Sequence, residues 1–226
     1  MIYEAFVDGL RAMNVTRYGS HPRIFVSEIG RCPRSVMLRL VGVEPSDAFG
    51  DYVLDVMGLG VRYEDDTVRR VVAADRPWRI VTQYRLENEI WSGRVDLGIQ
   101  VGGRWVLVEH KAKGDLGRVP QSEHLLQLLM YGELFKEKMG EDAKLVLYYR
   151  GWGEHREIEV DAARGVCVSN GVRTFFDPEE VREKRHELEE LYVKKDVPDA
   201  PREPVEGTCC WKGESRCKYY GHCFGV

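Results

Sequence analysis

Hydrophobic and polar residues alternate along two stretches in the middle of the chain, and a glycine pair separates them. The two stretches cover residues 92–101 and 104–111, with Gly102 and Gly103 between them. Alternation with a period of two is typical of β-strands, and consecutive glycines suit a two-residue hairpin turn because glycine adopts positive φ at both positions. The pattern therefore predicts an antiparallel β-hairpin.

The register of this hairpin decides which side chains share a face. If Val101 lies opposite Arg104, one face of the hairpin is mostly apolar and belongs on the core. The opposite face then places Asp96 across from Glu109, with Lys111 two residues further along the same strand. The residues of the apolar face are Val95, Leu97, Ile99, Val106, Val108 and His110.

The remaining pattern predicts helices on both sides of further strands. Helical periodicity and capping residues predict helices over 1–13, 33–40, 52–74, 122–140 and 177–194. Strand patterns cover residues 78–88, 143–150 and 155–161. Strands that alternate with long helices predict an α/β fold with a mixed central sheet.

Composition and charge narrow the class of protein. The chain has 226 residues, of which 43% are hydrophobic and 31% charged, as in a soluble globular protein with one main core. No apolar run reaches the roughly 20 residues of a membrane span, and the first residues lack a secretory pattern, so we expect a cytoplasmic protein that contacts no membrane. The net charge of −4 excludes a uniformly basic coat for nucleic acid but permits a local basic groove. Basic residues near the start are Arg17, Arg23, Arg31, Arg34 and Arg39.

The opposed acids Asp96 and Glu109 are unfavourable unless something separates their charges. Directly opposed side chains have β-carbons about 4.5–5.5 Å apart, a separation at which two carboxylates can share a hard cation such as Mg²⁺. Lys111 shares their face and could stabilise an attacking water or the charge that builds on phosphorus. The alternative is a solvent-facing ladder of ion pairs, with Arg94 beside Glu109 and Asp96 beside Lys111.

Asp96, followed by Glu109-His110-Lys111, resembles the D…E-x-K signature of PD-(D/E)xK nucleases. Gln127 and Tyr131 in "QLLMY" lie on one helix face and resemble the Q-x-x-x-Y motif of the RecB-like branch. The resemblance implies a restriction-endonuclease-like core with a mixed central sheet flanked by helices.

The same resemblance implies roles for these residues. Asp96 and Glu109 would hold one or two Mg²⁺ or Mn²⁺ ions, with the backbone carbonyl of His110 as a further ligand. Lys111 would assist the water and the transition state. Gln127 would orient the site, and Tyr131 would contact the DNA or the site.

An earlier helix motif of that family, G-x-x-x-H, has a histidine that can complete the metal site. In "GLGVRYEDD" Gly60 is followed four residues later by Glu64, which then replaces the histidine. A carboxylate can bind Mg²⁺ or Mn²⁺. The alternative is that Glu64 is a solvated charge on the helix surface.

The six cysteines are a second feature of the sequence that indicates function, and four of them are near the C-terminal end. One distant cysteine, in "GRCPRSVMLRL", and a C-terminal trio resemble the iron–sulfur staple of the CRISPR-associated Cas-four family of RecB-like exonucleases. The resemblance implies a [4Fe–4S] cluster, or alternatively [2Fe–2S], with a structural role. Structural zinc is another use of four thiolates, but the chain lacks the usual C-x₂₋₄-C knuckle. The implied ligands are Cys32, Cys210, Cys217 and Cys223, with Cys209 as the alternative to Cys210. We expect Cys167 to be a buried strand residue and His222 a surface residue.

The resemblance implies a metal-dependent exonuclease of single-stranded DNA or frayed ends that acts with the CRISPR integrase proteins in spacer processing. It divides the chain into an N-terminal helical region with the first cluster cysteine (1–75), a nuclease core (76–160) and a C-terminal helix with the iron–sulfur tail (161–226), packed as one globular unit. The alternatives are a DNA-end or partner-binding iron–sulfur module without catalysis, a RecB-like repair nuclease, and a redox or zinc-structural protein.

Overall fold

The computed structural model describes residues 21–46, 51–151, 153–199 and 217–224, and within them the side chains outside 51–55. The predicted helix over 1–13, Arg17, and both Cys209 and Cys210 lie outside the described residues.

The elements follow the hydrophobic pattern closely. The helices are α1 (Pro33–Leu40), α2 (Asp51–Ala73), α3 (Ser122–Met139), α4 (Glu179–Lys194) and α5 (Tyr220–Phe224), with a 3₁₀ turn at Val26–Glu28. The strands are β1 (Ile24–Phe25), β2 (Arg79–Glu87), β3 (Trp91–Val101), β4 (Arg104–Ala112), β5 (Lys144–Arg150), β6 (His155–Asp161), β7 (Val166–Ser169) and β8 (Val172–Phe175). The predicted helices and strands within the described residues are confirmed, and the β7–β8 hairpin is an addition to them.

The strands form one mixed sheet of eight strands in the order β1-β3-β4-β5-β6-β7-β8, with β2 paired to β3. Strands β4 and β5 are parallel, while β2–β3, β3–β4 and the pairs from β5 to β8 are antiparallel. Helix α3 is the crossover between the two parallel strands, as a parallel pair requires a long connection. The fold is therefore α/β with a mixed sheet, as predicted.

The β3–β4 hairpin has the predicted register as far as Leu97 and Val108. Gly102 and Gly103 form the turn with φ of 56° and 83°. The ladder of backbone pairs stops one step before Asp96 and Glu109, so the predicted direct pairing of these two residues does not form. The reason is local, because the backbone N–H of residue 110 donates to the Asp96 carboxylate at 2.7 Å instead of to a facing carbonyl.

Both faces of the hairpin are covered by helices. On one face, the His110 ring lies against Thr67 of α2, with 3.2 Å between His110 Nε2 and Thr67 Oγ1. On the other face, the Trp105 and Phe135 rings are 5.9 Å apart, which places α3 over the side that carries Glu109. The alternative of a solvent-facing charged ladder is therefore wrong, because the acidic face is part of the interior.

The chain separates into two compact units. One contains residues 25–30 and 60–186, which include strands β2–β8, helix α3 and all the acidic side chains considered above. The other contains residues 1–24, 31–59 and 187–226 and includes α1 and α5. The predicted division at residues 75 and 160 stays a prediction. Within the described ranges, no helix is long and apolar enough to cross a membrane.

Candidate active site

Helix α3 brings Gln127 and Tyr131 over strand β4. The helix ends at Met139, and the next residue, Gly140, has a φ of 73°, the left-handed conformation that glycine adopts readily after a helix C-terminus. Residues 125–131 of this helix are all buried, so its polar members point into the interior. The spacing of four residues sets Gln127 and Tyr131 one above the other on the face that covers Glu109. Both side chains therefore belong to the interior and do not form a polar edge of the helix.

A compact hydrogen-bond network joins Glu109, Lys111 and Gln127. The ammonium group of Lys111 donates to Glu109 Oε1 at 2.8 Å and to Gln127 Oε1 at 2.9 Å. The Gln127 amide nitrogen donates to the same Glu109 oxygen at 2.8 Å. Because its oxygen faces a cation and its nitrogen faces an anion, the orientation of the Gln127 amide is fixed by its neighbours.

Tyr131 fastens helix α3 to strand β3. Its hydroxyl donates to the backbone carbonyl of Arg94 at 3.0 Å, and the Gln127 amide nitrogen lies 3.4 Å from it. The ring lies directly on Gly93, where an added β-carbon would be 2.7 Å from Tyr131 Cε1 and 2.8 Å from a Val26 methyl. Gly93 is thus required by this close approach.

The acids of the site are buried, and one of their oxygens is unsatisfied. Asp96 is 7% exposed and Glu109 3% exposed. Among the residues that the structure describes, Glu109 Oε2 has no hydrogen-bond partner. A buried anionic oxygen without a partner is costly, and a hard divalent cation is the ligand that such oxygens suit. The residues present therefore fit a metal ion of the Mg²⁺ or Mn²⁺ type.

The pKa values of the site reflect the same crowding of charge. Burial, together with the nearby Glu109 and Glu64 carboxylates, raises the pKa of Asp96 well above its usual range. Burial also raises the pKa of Glu109, against the opposing effect of the Lys111 charge. The pKa of Lys111 is raised: burial acts to lower it, but its contacts with Glu109 outweigh that effect. Buried groups with such shifts, gathered in one place, are typical of functional sites.

Glu64 and Gln83 extend the site. Glu64, on α2, is half-buried and accepts a hydrogen bond from the Gln83 side-chain amide. The same amide nitrogen lies 3.5 Å from Asp96 Oδ1. Glu64 is therefore not a fully solvated helix charge. Sequence reasoning missed Gln83, because a glutamine in an alternating strand pattern gives no signal of its own.

The ring of His110 points away from the acids, since neighbouring strand residues face opposite sides of a sheet. Burial lowers the pKa of this histidine to about 4. Only the backbone of His110 lies beside the carboxylates, where its N–H binds Asp96.

Within the described ranges, no cluster of three or more His, Cys, Asp and Glu side chains could hold a metal ion as it stands. The predicted ligands Asp96, Glu109 and Glu64 are near one another, but Lys111, Gln127, Gln83 and the His110 N–H already donate to their oxygens.

The cysteines of the second predicted site lie in the other compact unit. Cys32 directly precedes α1, Cys217 lies shortly before α5 and Cys223 lies within α5. All three are half-buried. The α5 segment is bound to the chain after α1, where the Gly221 N–H donates to Ser46 Oγ at 2.9 Å and His222 Nε2 lies 2.7 Å from the Glu44 carbonyl. His222 is exposed and Cys167 is buried in β7, both as predicted.

Comparison with known proteins adds to this geometry. A solved structure, "Crystal structure of SSO0001", superposes with a TM-score of 0.54 at 19% identity and covers 90% of this chain and 89% of its own, which shows a shared fold. A search of curated proteins gives no match. The family model of the PD-(D/E)XK nuclease superfamily matches residues 48–224, which include Glu64, Asp96, Glu109, Lys111 and Gln127. Because this match spans most of the sequence, the chain belongs to the PD-(D/E)XK nuclease superfamily.

Proposed function

We propose that the protein is a metal-dependent DNA exonuclease whose reaction centre is formed by Asp96, Glu109 and Lys111. One observation carries the proposal: within the described residues, Glu109 Oε2 is a buried, unpartnered anionic oxygen beside a second buried acid and a fixed ammonium group. In a nuclease superfamily, this arrangement is suited to a divalent ion and a phosphodiester. The resemblance to RecB-like enzymes favours single-stranded DNA or frayed ends as substrates.

The carboxylates would hold the metal. Asp96 and Glu109 would be the main ligands of one or two Mg²⁺ or Mn²⁺ ions, with Glu64 and the backbone carbonyl of His110 as further oxygen donors. A divalent ion bound there supplies Lewis-acid activation of the phosphodiester and lowers the pKa of a bound water.

Lys111 would stabilise the negative charge that develops on the phosphoryl oxygens. Its raised pKa keeps the ammonium group protonated at neutral pH. Among the described residues, Glu109 Oε1 and Gln127 Oε1 accept from two of its three N–H donors, so the third would bind a substrate oxygen. A cation fixed before the reaction costs little reorganisation in the transition state. Gln127 thereby serves as a positioning residue for Lys111. Tyr131 in turn holds α3 against strand β3 through its bond to the Arg94 carbonyl.

The experiment uses end-labelled single-stranded DNA with the full chain, in Mn²⁺ and in excess chelator. We expect metal-dependent release of label by wild type and a loss of about 10²–10³-fold in rate for Lys111→Ala, as for removal of a transition-state donor. Lys144→Ala is the matched control, because Lys144 is an exposed lysine of the same sheet that pairs with Glu159. The end from which label is released gives the polarity of digestion. If folded wild type does not degrade DNA but binds it, the alternative of a DNA-end-binding module replaces this proposal.

We further propose an iron–sulfur cluster held by Cys32, Cys210, Cys217 and Cys223, with Cys209 as the alternative to Cys210. Support comes from the half-burial of three of these cysteines and from the hydrogen bonds that tie α5 to residues 44 and 46, close after α1. The resemblance to the Cas-four family favours a [4Fe–4S] cluster and a role in trimming DNA with the CRISPR integrase proteins. A repair nuclease of the RecB-like type is the alternative setting.

A further inference from the structure

Gln83 combines a strained backbone with a position at the centre of the site. It lies in the middle of β2, yet its φ is 50°, a left-handed value that non-glycine residues seldom adopt. The pairs of Thr82 with Leu97 and of Tyr84 with Val95 flank it, so Gln83 lies across from Asp96 without joining the ladder. Strained residues of this kind persist where the surroundings fix them, and they are concentrated at functional sites.

The side chain of Gln83 connects two acids from different elements. Its amide nitrogen donates to Glu64 Oε1 on helix α2 and lies 3.5 Å from Asp96 Oδ1 on strand β3. An amide nitrogen carries two N–H donors, one for each carboxylate. Without such a donor, the flexible Glu64 side chain would turn away from the like charge of Asp96.

We infer that Gln83 is a positioning residue of the proposed metal site, whose amide keeps Glu64 beside Asp96 as the third carboxylate that would ligate a divalent ion. The inference rests on the proposed function and deepens it. It also gives a physical reason why Glu64 can stand where the G-x-x-x-H motif has a histidine, because a carboxylate needs a neighbouring donor to stay near two other acids.

The test is a Mn²⁺ titration of the full chain, followed by electron paramagnetic resonance of the free ion. Loss of an outer partner of a metal ligand typically weakens metal affinity by about 10–100-fold, and we expect Gln83→Ala to fall in that range. Gln100→Ala is the matched control, since Gln100 is on the neighbouring strand and its amide donates to the Gly103 carbonyl of the turn. Equal Mn²⁺ affinity in wild type, Gln83→Ala and Gln100→Ala would overturn the inference.

A double-mutant cycle separates positioning from a general effect on folding. If Gln83 acts through Glu64, then Gln83→Ala should weaken Mn²⁺ binding in wild type but have little further effect in a Glu64→Ala background. Independent, additive losses would show that Gln83 does not act through Glu64.

The strained backbone at Gln83 can be tested separately, by melting temperature. Glycine in a strand normally lowers stability relative to alanine, but at a left-handed position the order reverses. We expect Gln83→Gly to melt at a higher temperature than Gln83→Ala, while both lose Mn²⁺ affinity to the same extent. The opposite melting order would contradict the strained conformation at this position.

The failure of this inference can be distinguished from failure of the proposed function by Asp96→Ala. If Asp96→Ala binds Mn²⁺ as well as wild type, the metal site itself is wrong and both proposals fall. If Asp96→Ala loses binding while the Gln83 variants keep it, only the role of Gln83 falls.

Discussion

Two buried acids, Asp96 and Glu109, dominate the chemistry of the molecule at the scale of single residues. Each accepts hydrogen bonds, yet burial and the charges of nearby carboxylates leave the pKa of both carboxyls raised. Two buried acids this close together destabilise the folded protein without a cation and are stabilised by a bound cation. The side chains that would bind the metal therefore lower the stability of the metal-free protein. The hairpin pattern identified both acids, because alternation places them on one face. It could not identify Gln83, whose role depends on a backbone conformation that no pattern signals.

Asp96→Asn should separate stability from activity. Asparagine keeps an oxygen that accepts the N–H of His110, and it removes one of three neighbouring negative charges. We expect the melting temperature of the metal-free protein to rise by a few degrees, since about 1 kcal/mol corresponds to about 2–4 °C in a domain of this size. Calorimetry in chelator measures the change, and Asp142→Asn, in an exposed pair with Lys136, is the control. A lower melting temperature for Asp96→Asn would show that the charge of Asp96 does not destabilise the folded protein.

At the scale of elements, the contact between helix α3 and the sheet determines where the site forms. The helix was predictable because its apolar residues repeat at helical spacing and a glycine follows its last turn. The distance of α3 from the sheet could not be predicted from the sequence. It depends on the absent side chain of Gly93 and on the Tyr131 hydroxyl, which donates to the Arg94 carbonyl. The early end of the β3–β4 ladder has a similar cause, a side chain that takes the place of a backbone acceptor.

Gly93→Ala should destabilise the protein through this contact. The new methyl group would overlap Tyr131 and Val26, both fixed in the interior, and overpacking of this kind costs about 1–3 kcal/mol. Gly98→Ala on the same strand is the control, because its added β-carbon would find its nearest neighbours at 3.4 Å, an ordinary contact. Urea denaturation compares the two variants. Equal stability of Gly93→Ala and Gly98→Ala would mean that α3 can move without loss.

The contact of α3 with β5 also predicts a pH dependence. His124, near the start of α3, lies 2.9 Å from the Tyr149 hydroxyl, and burial lowers its pKa to about 3. Because the folded pKa is depressed, this group contributes stability above the unfolded value of 6.5 and loses it as the pH falls from there towards 3.

Replacement of the half-buried His124 by glutamine should therefore flatten the decline of stability with acid between pH 6.5 and about 3. His155→Gln is the control, since His155 is an exposed histidine of β6. Melting temperatures measured across this range test the prediction. A decline as steep in His124→Gln as in His155→Gln would assign acid sensitivity to other groups.

In the molecule as a whole, the cysteines proposed as cluster ligands and the buried acids belong to different compact units. The first segment of the chain and the last contribute to one unit, which contains α1 and α5. A covalent cluster that joins distant parts of a chain stabilises the folded state by binding it and not the unfolded chain. The sequence predicted which cysteines to consider, but the choice between Cys209 and Cys210 concerns residues outside the described ranges.

The proposed iron–sulfur cluster predicts that Cys32→Ala removes iron and lowers the melting temperature of the full chain. Iron analysis and visible absorbance measure the cluster, and calorimetry measures the stability. Cys167→Ala is the matched control, because Cys167 is a buried cysteine of β7 in the other unit. Unchanged iron content in Cys32→Ala would exclude this cysteine as a ligand.

The most direct test of the account is hydrolysis of labelled single-stranded DNA by the full chain, with wild type and Asp96→Asn compared in Mn²⁺ and in chelator. We predict that wild type degrades the DNA only with metal and that Asp96→Asn, folded and at least as stable, does not degrade it. Degradation by Asp96→Asn at the rate of wild type would contradict the claim that the buried acids are the reaction centre.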